Sequence, residues 1–154
     1  MDDAARLVDA LRARGLTVAA AESLTGGLVC ARLVDVPGAS DVVRGAIVAY
    51  ATDLKASLLD VDEALLAAHG PVHVDVARAM ARGVRARLAA DIGLATTGVA
   101  GPGPADGHPA GTVLLAVSTP WSDDVLALAL DGDRQAVRAG AVDRVIGLAM
   151  AALD

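Results

Sequence analysis

Three residue types are so scarce in this chain that their remaining copies stand out. Lys55 is the one lysine among 13 basic residues, Tyr50 is the one tyrosine, and Glu22 and Glu63 are the only glutamates among 19 acidic residues. Arginine cannot stand in for a lysine that must lose its proton, because a guanidinium stays charged at any working pH. Chemistry that needs a neutral amine is one reason to keep Lys55, and an ordinary surface position is the other. Ser40, Tyr50 and Lys55 fall on a glycine-containing loop, near the end of a strand, and on the first turn of the next helix. A serine nucleophile needs a base, and a lysine partly withdrawn from water can act as one, with a tyrosine hydroxyl relaying the proton. Such residues are also common at such positions, so by local sequence alone the trio has a purely structural reading too.

A second candidate is Glu22-Ser23-Leu24-Thr25-Gly26-Gly27, which follows a short apolar run and opens a helix. Hydroxyls and backbone N–H groups there can face a phosphate with the help of the helix dipole. Ser23 or Thr25 can equally cap the helix, with the glycines allowing tight packing. The segment has neither the lysine of a P-loop nor Rossmann glycine spacing. Arg134 and Arg138 sit one turn apart at a helix start, where cations oppose the dipole; either Asp131 and Asp133 or a bound phosphate compensates them. His69 and His73 flank Pro71, so they do not share a helix face as a metal-binding i, i+4 pair would, and no metal site is expected. His69 is placed near a helix C-terminus. Cys30, inside an apolar helix, reads as a core residue.

These residues need elements to position them. Residues 3 to 14 form an amphipathic helix stopped by Gly15, and residues 16 to 21 form a buried strand. The turn at 23 to 27 leads into a helix through about residue 34, followed by a loop over 36 to 40 and a strand over 45 to 51. Thr52 or Asp53 can cap the short helix that carries Lys55. Helices are expected over 62 to 68 and 74 to 90, and a strand over 92 to 96. The glycine- and proline-rich stretch from Thr97 to Gly111 is long enough for a loop in a compact domain to imply function. Strands over 112 to 118 and 125 to 130 read as a hairpin, because no helix fits between them. A closing helix covers 133 to 153. The alternation predicts an α/β fold, a three-layer α/β/α sandwich around a single, mixed sheet, with 1–154 as one domain.

Composition narrows the function classes. The 154 residues are 55% hydrophobic and 21% charged, which predicts a folded, soluble domain. The net charge of −6 and the lack of any basic run argue against nucleic-acid binding. Every apolar run is interrupted short of a membrane span, and Met1-Asp2-Asp3 is acidic where a signal peptide would be basic, so no membrane association is expected. A single cysteine fits a reducing compartment, and the expected location is cytoplasmic. The high apolar content leaves surface that an interface can bury, which predicts a homodimer or higher homo-oligomer.

Taken together, the motifs resemble one known family. Ala21-Glu-Ser-Leu-Thr-Gly-Gly27, Pro37-Gly-Ala-Ser40, Tyr50 with Lys55, His69-Gly70, Thr97-Gly-Val-Ala-Gly-Pro-Gly103, Pro109-Ala-Gly-Thr-Val113 and Gly132-Asp-Arg134 occur in the order seen in the CinA C-terminal domain family. The resemblance covers nearly the whole chain. It implies a stand-alone nicotinamide mononucleotide deamidase, hydrolysing the carboxamide to nicotinic acid mononucleotide and ammonia without a cofactor or metal. It implies that Ser40 is the nucleophile, with Tyr50 and Lys55 activating it. It further implies a nucleotide site drawn from Glu22, Ser23, Thr25, Gly26, Gly27, Gly38, Thr97, Gly98, Ala100, Gly101 and Arg134. Three departures from the family pattern stand out: Ala39 where a serine is usual, Gly70-Pro-Val-His73 for Gly-x-Val-Ser, and a 101 to 110 loop reading His108-Pro-Ala-Gly. They motivate two alternatives, a nucleotide-binding module without turnover and an amidase acting on another carboxamide.

Overall fold

The computed structural model describes residues 2–154; Met1, the first residue of the acidic N-terminal tripeptide, lies outside them. Five strands, β1 (Val18–Glu22), β2 (Val43–Val48), β3 (Ile92–Gly98), β4 (Thr112–Ser118) and β5 (Asp123–Ala129), form one sheet in the order β2-β1-β3-β4-β5. β1 runs parallel to both β2 and β3, whereas β4 and β5 are antiparallel to their neighbours, so the sheet is mixed. The expected hairpin is β4 and β5, joined at Thr119–Ser122, where Thr119 N–H donates to the Ser122 carbonyl at 2.8 Å. Among the described residues six α-helices accompany it: α1 (Asp3–Arg14), α2 (Leu28–Val34), α3 (Thr52–Leu59), α4 (Glu63–His69), α5 (Val74–Arg87) and α6 (Arg134–Ala152).

Alternation along the strands builds two cores. Val18 and Ala20 of β1, Leu94 of β3 and Val113 and Leu115 of β4 face α1, α2 and α6, meeting Leu7, Leu11, Leu33 and Ile146. Ala19, Ala21, Ala95 and Ala116 face the other way, against Met80 and Val84 of α5 and Leu59 at the end of α3. Small strand residues on that face let α5 lie close to the sheet. The approach is tightest at two glycines. A Cβ on Gly93 would lie 2.1 Å from the Ala81 carbonyl oxygen, and one on Gly83 would lie 1.9 Å from that of Leu59. Gly83 therefore sets how closely α3, and with it Lys55, is held to the body.

The observed elements shift from the expected ones in explicable ways. β2 spans Val43–Val48 and not 45 to 51, because its register with β1 runs from Val18↔Val43 to Glu22↔Val48, beyond which the chain turns towards α3. The expected 36 to 40 loop ends in a 3-10 turn, Ala39–Asp41. α3 starts from Ala51 without a side-chain cap, so neither Thr52 nor Asp53 has that role. α5 stops near residue 87, and Ala89 takes a left-handed φ of 51°. β5 starts two residues early, at Asp123, because the hairpin register pairs it with Ser118.

Candidate active site

The parallel strands β1 and β3 are neighbours, yet from β1 the chain first goes out to β2 before crossing back to β3. This divergence leaves a crevice beyond the carboxyl ends of the two strands, the place where open α/β sheets bind ligands. A cleft of about 270 Å³ lies here. Its walls come from Ser23 after β1, Tyr50 after β2, Lys55 on α3, Thr97 to Gly101 at the end of β3, and Arg134 at the start of α6.

Lys55 is the central group. Its side chain is 1% exposed, and its Nζ donates to Ser23 Oγ at 3.0 Å, to the Ala49 carbonyl at 2.8 Å and to the Tyr50 carbonyl at 3.3 Å. Three acceptors satisfy the three N–H bonds of an ammonium. In the neutral amine, the two carbonyls can only accept and so keep the two remaining N–H bonds, which leaves the lone pair for the Ser23 hydroxyl. Burial drives the pKa of Lys55 down from 10.5 to about 8, against an opposing pull from the Asp106 carboxylate. About a tenth of the side chains are then neutral at pH 7, and half at pH 8.

The Ser23 turn is held from behind. Glu22 is fully buried, and its carboxylate accepts from Thr25 Oγ1 at 2.7 Å and from the backbone N–H groups of Gly27, Val29 and Cys30 at 3.2, 2.8 and 3.1 Å. It thus occupies the N-terminus of α2, the position where a phosphate was one expectation. Thr25 is also buried, sharing a 2.7 Å bond with Thr96 Oγ1. Gly26 and Gly27 have φ of 57° and 106°, which let the chain turn sharply enough to wrap the carboxylate. Arg138 reaches across from α6 to the carbonyls of Leu24 and Thr25 at 2.9 and 3.3 Å. Glu22, Thr25, Gly26 and Gly27 therefore support the turn that presents Ser23, and Arg138, for which the sequence offered a phosphate or the acidic neighbours as partners, instead braces that turn through its carbonyls. The acidic neighbour Asp133 caps α6 by accepting from Ala136 N–H at 2.9 Å.

Arg134 faces the cleft, donating to the Gly101 carbonyl at 2.7 Å and to the Tyr50 hydroxyl at 3.3 Å. Tyr50 is 60% exposed and offers Lys55 its carbonyl; its hydroxyl turns to Arg134. Thr97 ties the cleft to the α4–α5 connection by donating to the Pro71 carbonyl at 2.8 Å. In that connection the rings of His69 and His73 stack with centroids 4.1 Å apart, so the two histidines meet although they share no helix. His73 Nδ1 accepts the Asp75 N–H at 3.1 Å and caps α5, while His69 ends α4 as expected. Among the described residues, no group of three or more His, Cys, Asp or Glu side chains is arranged to hold a metal ion.

Ser40 is not brought to Lys55. It precedes β2 whereas Tyr50 and Lys55 follow it, and six strand residues at about 3.3 Å each put the two ends of β2 roughly 20 Å apart. Ser40 and Gly38 border a separate depression of about 520 Å³ with Val34, Val43 and Arg44. Although larger, this depression is lined mainly by apolar residues and glycine, and Lys55 is outside it. Cys30 is half-buried at its rim instead of belonging to the core, and burial, followed by the Glu22 charge, pushes its thiol pKa up. Arg12 covers Gly38 by donating to its carbonyl at 2.9 Å. The hydroxyl within reach of the buried lysine is that of Ser23, for which the sequence suggested only binding or capping.

Comparison with known proteins bears on the whole chain. Residues 2–153 match the model of the CinA C-terminal domain. A CinA-like protein of Frankia casuarinae is 53% identical over 135 residues, covering 88% of this chain and 31% of that protein. A putative competence-damage inducible protein of Geobacillus sp. is 47% identical over 134 residues, covering 86% and 32%. The chain thus spans about a third of the length of these curated relatives. A CinA superfamily crystal structure from Klebsiella pneumoniae superposes with a TM-score of 0.94 at 32% identity, covering 98% of this chain and 95% of that one. Among the described residues, no helix is long and apolar enough to cross a membrane. The mixed sheet, the motif order and the near-complete superposition agree: the chain belongs to the CinA C-terminal domain family.

Proposed function

We propose that this protein is an amidohydrolase that converts nicotinamide mononucleotide to nicotinic acid mononucleotide and ammonia, with Ser23 as nucleophile and Lys55 as its base. The observation that carries the reading is the 3.0 Å contact between Lys55 Nζ and Ser23 Oγ at the floor of a cleft, with both remaining amine N–H bonds held by carbonyls. The substrate class comes from family membership and from Arg134, which offers an anionic group a cation at the cleft wall.

Neutral Lys55 takes the Ser23 proton as Oγ attacks the carboxamide carbon, and the backbone N–H groups of Ala100 and Gly101, beyond the Val99 N–H that is spent on the Thr112 carbonyl, receive the oxyanion. Lys55 then returns that proton to the leaving nitrogen, the C–N bond breaks, and ammonia departs from an acyl ester on Ser23. Water attacks the ester, Lys55 accepts its proton, and the acid is released as Ser23 is protonated again. Every step uses the same amine in alternating roles, which suits a group titrating near 8. Tyr50 and Arg134 hold the nucleotide, and Thr97 fixes the wall beside them. No step uses a cofactor.

A homodimer or larger assembly is part of the proposal, supported by Leu28, Val34 and Val48, which are exposed on α2 and on the open edge of β2. The deciding experiment is ammonia release from nicotinamide mononucleotide by the purified protein. Release above the uncatalysed rate is expected, and its absence from folded protein overturns the assignment.

A further inference from the structure

The cleft carries three formal charges, of which the chemistry above uses two. Lys55 lies at the floor and Arg134 at a wall; the third is Asp106, in the long glycine- and proline-rich loop. Asp106 and Gly107 are the central pair of a tight turn in which Ala105 N–H donates to the His108 carbonyl at 3.1 Å and His108 N–H to the Ala105 carbonyl at 2.9 Å. Both central residues have positive φ, 51° and 78°, the geometry for which Asp-Gly is the preferred sequence. A turn closed by two backbone bonds fixes the main chain from which the exposed carboxylate reaches the cleft. Among the described residues, no basic side chain lies within 4 Å of that carboxylate to form an ion pair.

A substrate that fills the cleft strips water from this carboxylate, which is unfavourable unless the ligand itself brings positive charge. Arg134 makes the opposite demand and is met by an anionic group. The complementary ligand is therefore a zwitterion, anionic at one end and cationic near the reacting carbon. We propose that Asp106 is a specificity-determining residue that selects substrates whose carboxamide stands on a cationic aromatic ring, holding that ring against the Ser23–Lys55 pair while Arg134 holds the phosphate. The inference rests on the nucleotide reading above and adds the charge state of the ring. The field of Asp106 also reaches the reacting amine, since it opposes the effect of burial on Lys55. A ring cation lodged between them offsets that field.

The test compares nicotinamide mononucleotide with its reduced, dihydropyridine form, which keeps the phosphate, ribose and carboxamide but has an uncharged ring. Dissociation constants are measured by calorimetry in a Ser23→Ala background, where turnover is blocked, with Asp106 unchanged or replaced as D106N or D106E. Asparagine tolerates the left-handed backbone of this turn, and glutamate keeps the charge. D106N is expected to weaken the oxidised ligand about tenfold and the reduced ligand less than twofold, while D106E retains at least part of the preference. Equal weakening of both ligands, or of neither, overturns the proposal. Failure of the parent to bind either ligand overturns it together with the nucleotide reading. Binding that follows ring charge, in a protein whose wild type releases no ammonia, upholds the role of Asp106 and overturns only the deamidase.

Discussion

Replacing one serine at a time separates the hydroxyl that the structure puts beside Lys55 from the one that the family resemblance points to. Ser23 Oγ is 3.0 Å from Lys55 Nζ, so Ser23→Ala removes both the attacking oxygen and the acceptor of the third amine N–H. Loss of a covalent nucleophile typically costs at least about 10³-fold in kcat, roughly 4 kcal/mol of barrier. Ser40 is exposed and lies roughly 20 Å along β2 from the lysine end of the strand, far beyond the reach of one side chain. Ser40→Ala should therefore change kcat/KM by less than about twofold and stability by less than about 0.5 kcal/mol. The assay is ammonia release from nicotinamide mononucleotide, coupled to reductive amination and read by absorbance, with thermal unfolding recorded for each variant. A folded Ser40→Ala protein without activity, beside an active Ser23→Ala protein, would refute the geometric argument.

Further tests address the base and its support. The pH profile of kcat/KM should rise through about pH 8 and then level off, because Lys55 must be neutral to accept a proton; a profile flat from pH 6 to 9 would exclude it as the base. Lys55→Arg should lose activity by about 10³-fold or more, since guanidinium does not deprotonate, and kinetics on a variant shown by circular dichroism to be folded check this. Lys55 also leaves a mark on stability. It gives up its proton near 8 when folded and near 10.5 when unfolded, so the unfolded chain holds more protons between those values and stability rises with pH across that window; Lys55→Met should flatten this rise in urea melts. Glu22→Gln replaces a carboxylate that accepts four hydrogen bonds and should cost about 2 to 4 kcal/mol, measured by urea unfolding. Gly83→Ala drives a methyl into the Leu59 carbonyl and should destabilise by about 1 to 3 kcal/mol in the same measurement.

Much of this protein was legible in the chain itself. The period of apolar residues gave the helices near their observed bounds, and the short gap between residues 118 and 125 required the β4–β5 hairpin because no helix fits there. The scarcity of lysine pointed to Lys55, since only an amine can lose the proton that an arginine keeps. The Asp106-Gly107 dipeptide lay within the long loop without a reading of its own, and nothing local says that a turn there lines a cleft. Tertiary structure decided the partner of the lysine. Ser40 is closer to Lys55 in sequence than Ser23 is, yet β2 runs between them as a rigid strut, while parallel pairing of β1 with β2 brings residue 23 alongside the end of β2. It also decided that Glu22 caps α2 instead of facing a ligand, because a buried carboxylate must find donors and the nearest free N–H groups are those of the helix start. Residue types and their periodicity are local properties that a sequence displays directly. Which hydroxyl meets which amine depends on strand order, and strand order is set by contacts between segments far apart in the chain.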